Sequence, residues 1–78
     1  MPSLKPISWK KFEKFLLYIG CEFKRQNGGH RIYTRAGLSR PIVLPCHGSD
    51  TLPLFIIRNN LKLLGIDIEQ YSDLLKKA

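Results

Sequence analysis

Acidic residues are scarce in this chain of 78 residues: six Asp and Glu stand against thirteen Lys and Arg, for a net charge of +7. A surplus of that size on so small a surface attracts polyanions, with RNA or DNA the first expectation. Carboxylates this few form no paired constellation for acid–base work. Cysteine is limited to Cys21 and Cys46, and nothing requires them to pair. No signal peptide is visible, so both read as reduced, buried thiols and the expected location is cytoplasmic. No apolar run approaches the roughly 20 residues that span a bilayer, which excludes a membrane helix. A glycine-rich phosphate loop opening a helix, internal repeats, low-complexity tracts and linkers are all missing. The length allows one domain, residues 1–78, and a chain this small buries only about 60–65% of its unfolded surface.

What is present is unevenly spread. Lys5, Lys10, Lys11, Lys14, Lys24, Arg25, Arg31, Arg35 and Arg40 crowd the first half, where only Glu13 and Glu22 oppose them. Ser8 is suited to cap a first helix, its hydroxyl accepting an unpaired backbone amide. Trp9, Phe12, Leu16 and Ile19 then recur at helical spacing with Phe15 beside them, leaving Lys10, Lys11 and Lys14 in water. Gly20 suits the left-handed residue past the end. Segments Cys21–Gln26, Arg31–Arg35 and Pro41–Pro45 read as three strands joined by turns at Asn27-Gly28-Gly29 and Ala36-Gly37-Leu38-Ser39. Links this short favour an antiparallel meander with one face under helices. Phe23, Ile32, Val43 and either Ile42 or Leu44 are the expected buried set. Thr51 is placed to cap a second helix with Pro53 in its first turn. Leu54, Ile57, Leu61 and Leu64 face the core in that helix, and Gly65 ends it. Asp67 and Gln70 form a capping box for a short last helix with Tyr71, Leu74 and Leu75 inward. The fold class is therefore α+β.

The most informative feature is Gly28-Gly29-His30, lying between two strand-like segments. Two glycines let the backbone turn tightly and approach a ligand with no side chain in the way. The histidine after them is flanked in sequence by Lys24, Arg25, Arg31 and Arg35. Imidazole both takes and gives protons near neutral pH, so this group suits chemistry on a nucleic-acid backbone. Other chemistries are weaker. Cys46 and His47 are adjacent on an extended segment, so their side chains point to opposite faces and make no nucleophilic pair. Cys21, His30, Cys46 and His47 lack the close paired spacing of a structural zinc site, and no metal or cofactor is expected.

The order of these pieces carries a resemblance. A helix, the step Gly28-Gly29-His30, a strand ending in Pro45-Cys46-His47-Gly48, and a helix with Ile57-Arg58 closing at Gly65 together resemble the HicA toxin family. Members of that family are small messenger-RNA interferases of bacterial toxin–antitoxin pairs. The likeness runs from about Ser8 to Leu75. Gly29 stands where the family has serine, Arg31 where a second histidine often follows, and Cys46 departs from the family's Pro-Val-His-Gly step. The resemblance implies a double-stranded-RNA-binding-like α-β-β-β-α fold, with helices on one face of a three-stranded antiparallel sheet. It also implies a messenger-RNA endoribonuclease inhibited by a HicB-type antitoxin, with His30 as the catalytic residue.

RNA supplies its own nucleophile, the 2′-hydroxyl, so such an enzyme need hold no metal. His30 would act as general base or acid. Arg31, Lys24 and Arg25 are candidates to clamp the phosphate, and the Gly28 and Gly29 amides to donate to it. His47 is either an auxiliary acid or substrate ligand, or a structural histidine bonded to the Gly48-Ser49 loop. Tyr33 either stacks on a base or packs in the sheet. Two alternatives remain: a non-catalytic RNA-binding module of the same fold, and an interaction subunit docking through its apolar second helix.

Overall fold

A computed structural model describes residues 4–46 and 51–78 of the chain. The order is β1 (Ile7–Ser8), α1 (Trp9–Tyr18), β2 (Glu22–Asn27), β3 (His30–Thr34), β4 (Ile42–Pro45), β5 (Thr51–Leu52), α2 (Leu54–Leu64) and α3 (Ile68–Lys77). Strands β2, β3 and β4 form an antiparallel sheet in that order, and β1 pairs with β5 in a separate two-residue ribbon. The α+β class and the helix, three-strand meander, helix layout are those read from the sequence.

Local chemistry explains the helix ends. The Ser8 hydroxyl accepts from the Lys11 amide at 3.2 Å, and the chain leaves α1 through Gly20 at φ +97°. α3 opens with the complete Asp67–Gln70 capping box and runs ten residues, as long as α1. α2 differs from expectation at its start. Pro53 is its N-cap, with no side-chain bond, because Thr51 is held in β5 opposite Ser8. Backbone pairing with β1 thus takes the residue that the sequence offers as a cap.

The sheet buries both Ile42 and Leu44, of which one was expected inside, together with Tyr33, and leaves the other expected residues outside the core. Tyr33, Ile42 and Leu44 are fully buried, whereas Phe23 and Val43 are 44% and 40% exposed and Ile32 is only half-buried. Register gives the reason for Ile32 and Val43: Tyr33 lies opposite Ile42 and Arg31 opposite Leu44, so this row faces the helices, and Ile32 with Val43 faces away. Phe23 pairs with Tyr33 on the helix side, but it sits on the edge strand with its ring against Tyr33 and the Arg31 guanidinium. A one-residue change of phase exchanges the two faces. Under the buried row, Phe12, Phe15 and Leu16 of α1 meet Ile57, Leu61 and Leu64 of α2 and Tyr71 of α3. The Phe15 and Tyr71 rings meet edge to face, centroids 5.0 Å apart, and Phe12 lies 5.3 Å from Phe15. Cys21 is buried and Cys46 half-buried, both as free thiols.

Candidate nucleic-acid site

Asn27 and His30 are opposed across a two-residue turn made by Gly28 and Gly29. Gly28 adopts φ +62°, a left-handed conformation that most side chains disfavour. The turn is anchored on both sides. Gln26 Nε2 donates to the Gly28 carbonyl at 3.1 Å, and the Cys46 amide donates to the Gly29 carbonyl at 2.7 Å. The hairpin is therefore tied to the end of β4 and offers its tip to solvent from a fixed base.

His30 is exposed at the mouth of this turn. It pairs with Asn27 on one side and Pro45 on the other, and Arg25 lies opposite Ile32. Alternation along the strands then sets His30, Asn27 and Arg25 on the outer face of the sheet, the one the helices leave uncovered. Lys24 is exposed at a register shift between Phe23 and Arg25, where β2 carries one extra residue. Such bulges re-aim side chains at the edge of a sheet. Lys24, Arg25, Gly28, Gly29 and His30 thus lie on one hairpin. His47 falls outside the described residues.

Arg31 goes elsewhere. Its guanidinium points to the helix side, donating to Glu13 at 2.8 and 3.1 Å, to the Tyr33 hydroxyl at 3.0 Å and to Gln26 at 3.0 Å. The Tyr33 hydroxyl donates in turn to Glu13. The same guanidinium lies 4.2 Å from the Phe23 ring centroid and 5.2 Å from that of Trp9. The bond it donates to Tyr33, and then those to Glu13, hold Arg31 further into its charged form. Burial above all, then the bond to Glu13, pushes the Tyr33 phenol up. Tyr33 is fully buried, so it packs the sheet and offers no surface to a base.

This cluster was missed in the sequence, although a signal was present. Glu13 is the one acid in the otherwise lysine-rich α1, and Arg31 and Tyr33 share a strand face at spacing two. Among the described residues no group of three or more His, Cys, Asp or Glu could hold a metal ion. No described helix is long and apolar enough to cross a membrane.

The family model for the HicA toxin of bacterial toxin–antitoxin systems matches residues 9–66, well over half of the chain. This chain belongs to the HicA toxin family. The matched stretch starts at the first residue of α1, contains the whole sheet and the Gly28-Gly29-His30 hairpin, and ends just past Gly65. Membership assigns the chain a toxin role and implies an antitoxin partner. No curated protein sequence matches the chain.

Proposed function

We propose that this HicA-family chain is a messenger-RNA endoribonuclease in which His30 is the catalytic residue, held in check by a HicB-type antitoxin in the cytoplasm. The observation that carries the reading is the exposed His30 at the tip of an anchored glycine hairpin, sharing its sheet face with Arg25. A substrate as large as RNA needs a reactive group that stands clear of the core, and this hairpin supplies one. The 2′-hydroxyl attacks the adjacent phosphate as its proton leaves, and the 5′-oxygen of the next nucleotide departs as it gains one. His30 serves one of these transfers, a role worth about 10²–10⁴ in rate. Lys24 and Arg25 offer charge to the phosphate, and the Gly28 and Gly29 amides lie on the same turn. Arg31 would reach RNA only by leaving Glu13, so the other two cations carry that contact. His47 is the candidate for the complementary transfer. The products are a 2′,3′-cyclic phosphate and a 5′-hydroxyl, with no metal required.

The test is brief induced expression of the wild-type chain and of His30→Ala, both confirmed folded and equally abundant. The wild type alone should degrade messenger RNA and stop growth. Degradation by both would remove His30 from the chemistry. If neither cuts and both bind RNA in a salt-dependent way, the chain is a binding module of the same fold.

A further inference from the structure

Strand β4 is the edge of the sheet among the described residues, and its free side faces a groove of about 550 Å³ against α2. The bond from the Cys46 amide to the Gly29 carbonyl fixes which backbone groups point inward. Alternation then turns the Leu44 and Ile42 groups toward β3, and those of Pro45, Val43 and Pro41 outward. Two of these three are prolines and have no N–H to offer. The free edge therefore presents a single donor–acceptor pair, on Val43, with a proline on either side.

Across the groove, Asn60 of α2 is 8% exposed, and its Nδ2 donor has no partner among the described residues. A buried amide left unpaired is costly; Nδ2 itself is closed to solvent, so the Asn60 side chain, which lines the groove, turns toward it to meet an acceptor when one is bound there. Ile56 and Leu63 add apolar surface, Arg40 and Lys62 add positive charge, and among the described residues no acidic one lines the groove. A second copy of the chain is a poor occupant, since each carries a net charge of +7.

We propose that this groove receives a short, extended, acidic segment of a partner protein. The segment pairs with the Val43 backbone, gives Asn60 Nδ2 an acceptor, lays apolar side chains on Ile56 and Leu63, and meets Arg40 and Lys62 with carboxylates. Main-chain pairing supplies affinity and the alternate side chains supply selectivity, as in other strand additions. Pro41 and Pro45 limit pairing to one register and block indiscriminate edge-to-edge association. The proposal holds whether or not the chain cuts RNA.

The test is a titration of the isotope-labelled chain with a blocked seven-residue peptide alternating glutamate and valine, followed by amide NMR. The largest shifts should fall on Val43 and the Asn60 side-chain amide, and Val43 exchange should slow at least about tenfold. Val43→Pro, which removes the outward N–H, should abolish binding. Should that variant fail to fold, Asn60→Leu and the Arg40→Glu/Lys62→Glu pair carry the test. Each should weaken binding about tenfold, while Lys76→Glu/Lys77→Glu on α3 leaves it within about twofold. No binding at millimolar peptide, shifts centred elsewhere, or wild-type binding by Asn60→Leu would overturn the proposal. So would an RNA oligomer that shifts this groove where the peptide does not.

Discussion

Two neighbouring strand residues, His30 and Arg31, face opposite ways and do different work. Arg31 ties β3 to α1 through Glu13 and Tyr33, and Glu13 and Arg31 are each only 21% exposed. Removing Glu13 takes away the acceptor that the Arg31 guanidinium and the buried Tyr33 hydroxyl share. Glu13→Ala should therefore cost about 1–3 kcal/mol by denaturant unfolding. Tyr71 presents the reverse case. Its buried hydroxyl has no partner among the described residues, so Tyr71→Phe should be neutral or stabilising by up to about 1 kcal/mol. Burial pushes the Tyr71 phenol from 10.0 up to about 12, and the folded state therefore keeps its proton longer than the unfolded chain does. Its contribution is complete below pH 10 and is lost as pH rises toward 12. Unfolding midpoints over that interval should fall less steeply in Tyr71→Phe than in the wild type. At this scale the sequence showed His30, Lys24 and Arg25 as one basic stretch, but the destination of Arg31 depends on strand phase. That phase is set by pairing with β4 and by a bulge in β2, neither of which composition reveals.

Elements were most legible where a residue type has one local use. Ser8, Gly20, Gly28, Gly65 and the Asp67–Gln70 pair all do what their chemistry suggests. Ser8→Ala should cost about 1 kcal/mol as the cap of α1. Gly28→Ala should cost roughly 1–2 kcal/mol, because φ +62° is strained for alanine. No atom stands within 4 Å of the added methyl, so Gly28→Asn, which tolerates that backbone, should recover most of the loss. Thermal unfolding of the three variants checks both. Thr51 was misleading because a long-range ribbon with β1 outweighs its local value as a cap. The buried row of the sheet was misleading for a related reason. Ile32 and Val43 are as apolar as Ile42 and Leu44, and apolar character alone cannot tell the two faces apart.

At the scale of the whole molecule, one face of the sheet is closed by three helices and the other is left to solvent with His30 and Arg25 on it. On the proposed reading, the net charge of +7 draws RNA to the molecule in general and the hairpin gives the approach a destination. Single-stranded RNA binding should weaken steeply with salt, and Lys24→Ala or Arg25→Ala should each reduce the logarithmic slope by roughly 0.7. The central claim is that His30 performs the cleavage. It is tested most directly by incubating the purified chain and purified His30→Ala with a defined messenger RNA in the presence of a metal chelator, then identifying the new termini. Cleavage by the wild type alone, leaving 2′,3′-cyclic phosphate and 5′-hydroxyl ends, is the expected result. Equal cleavage by a folded His30→Ala, or cleavage that stops when metal is removed, would contradict it.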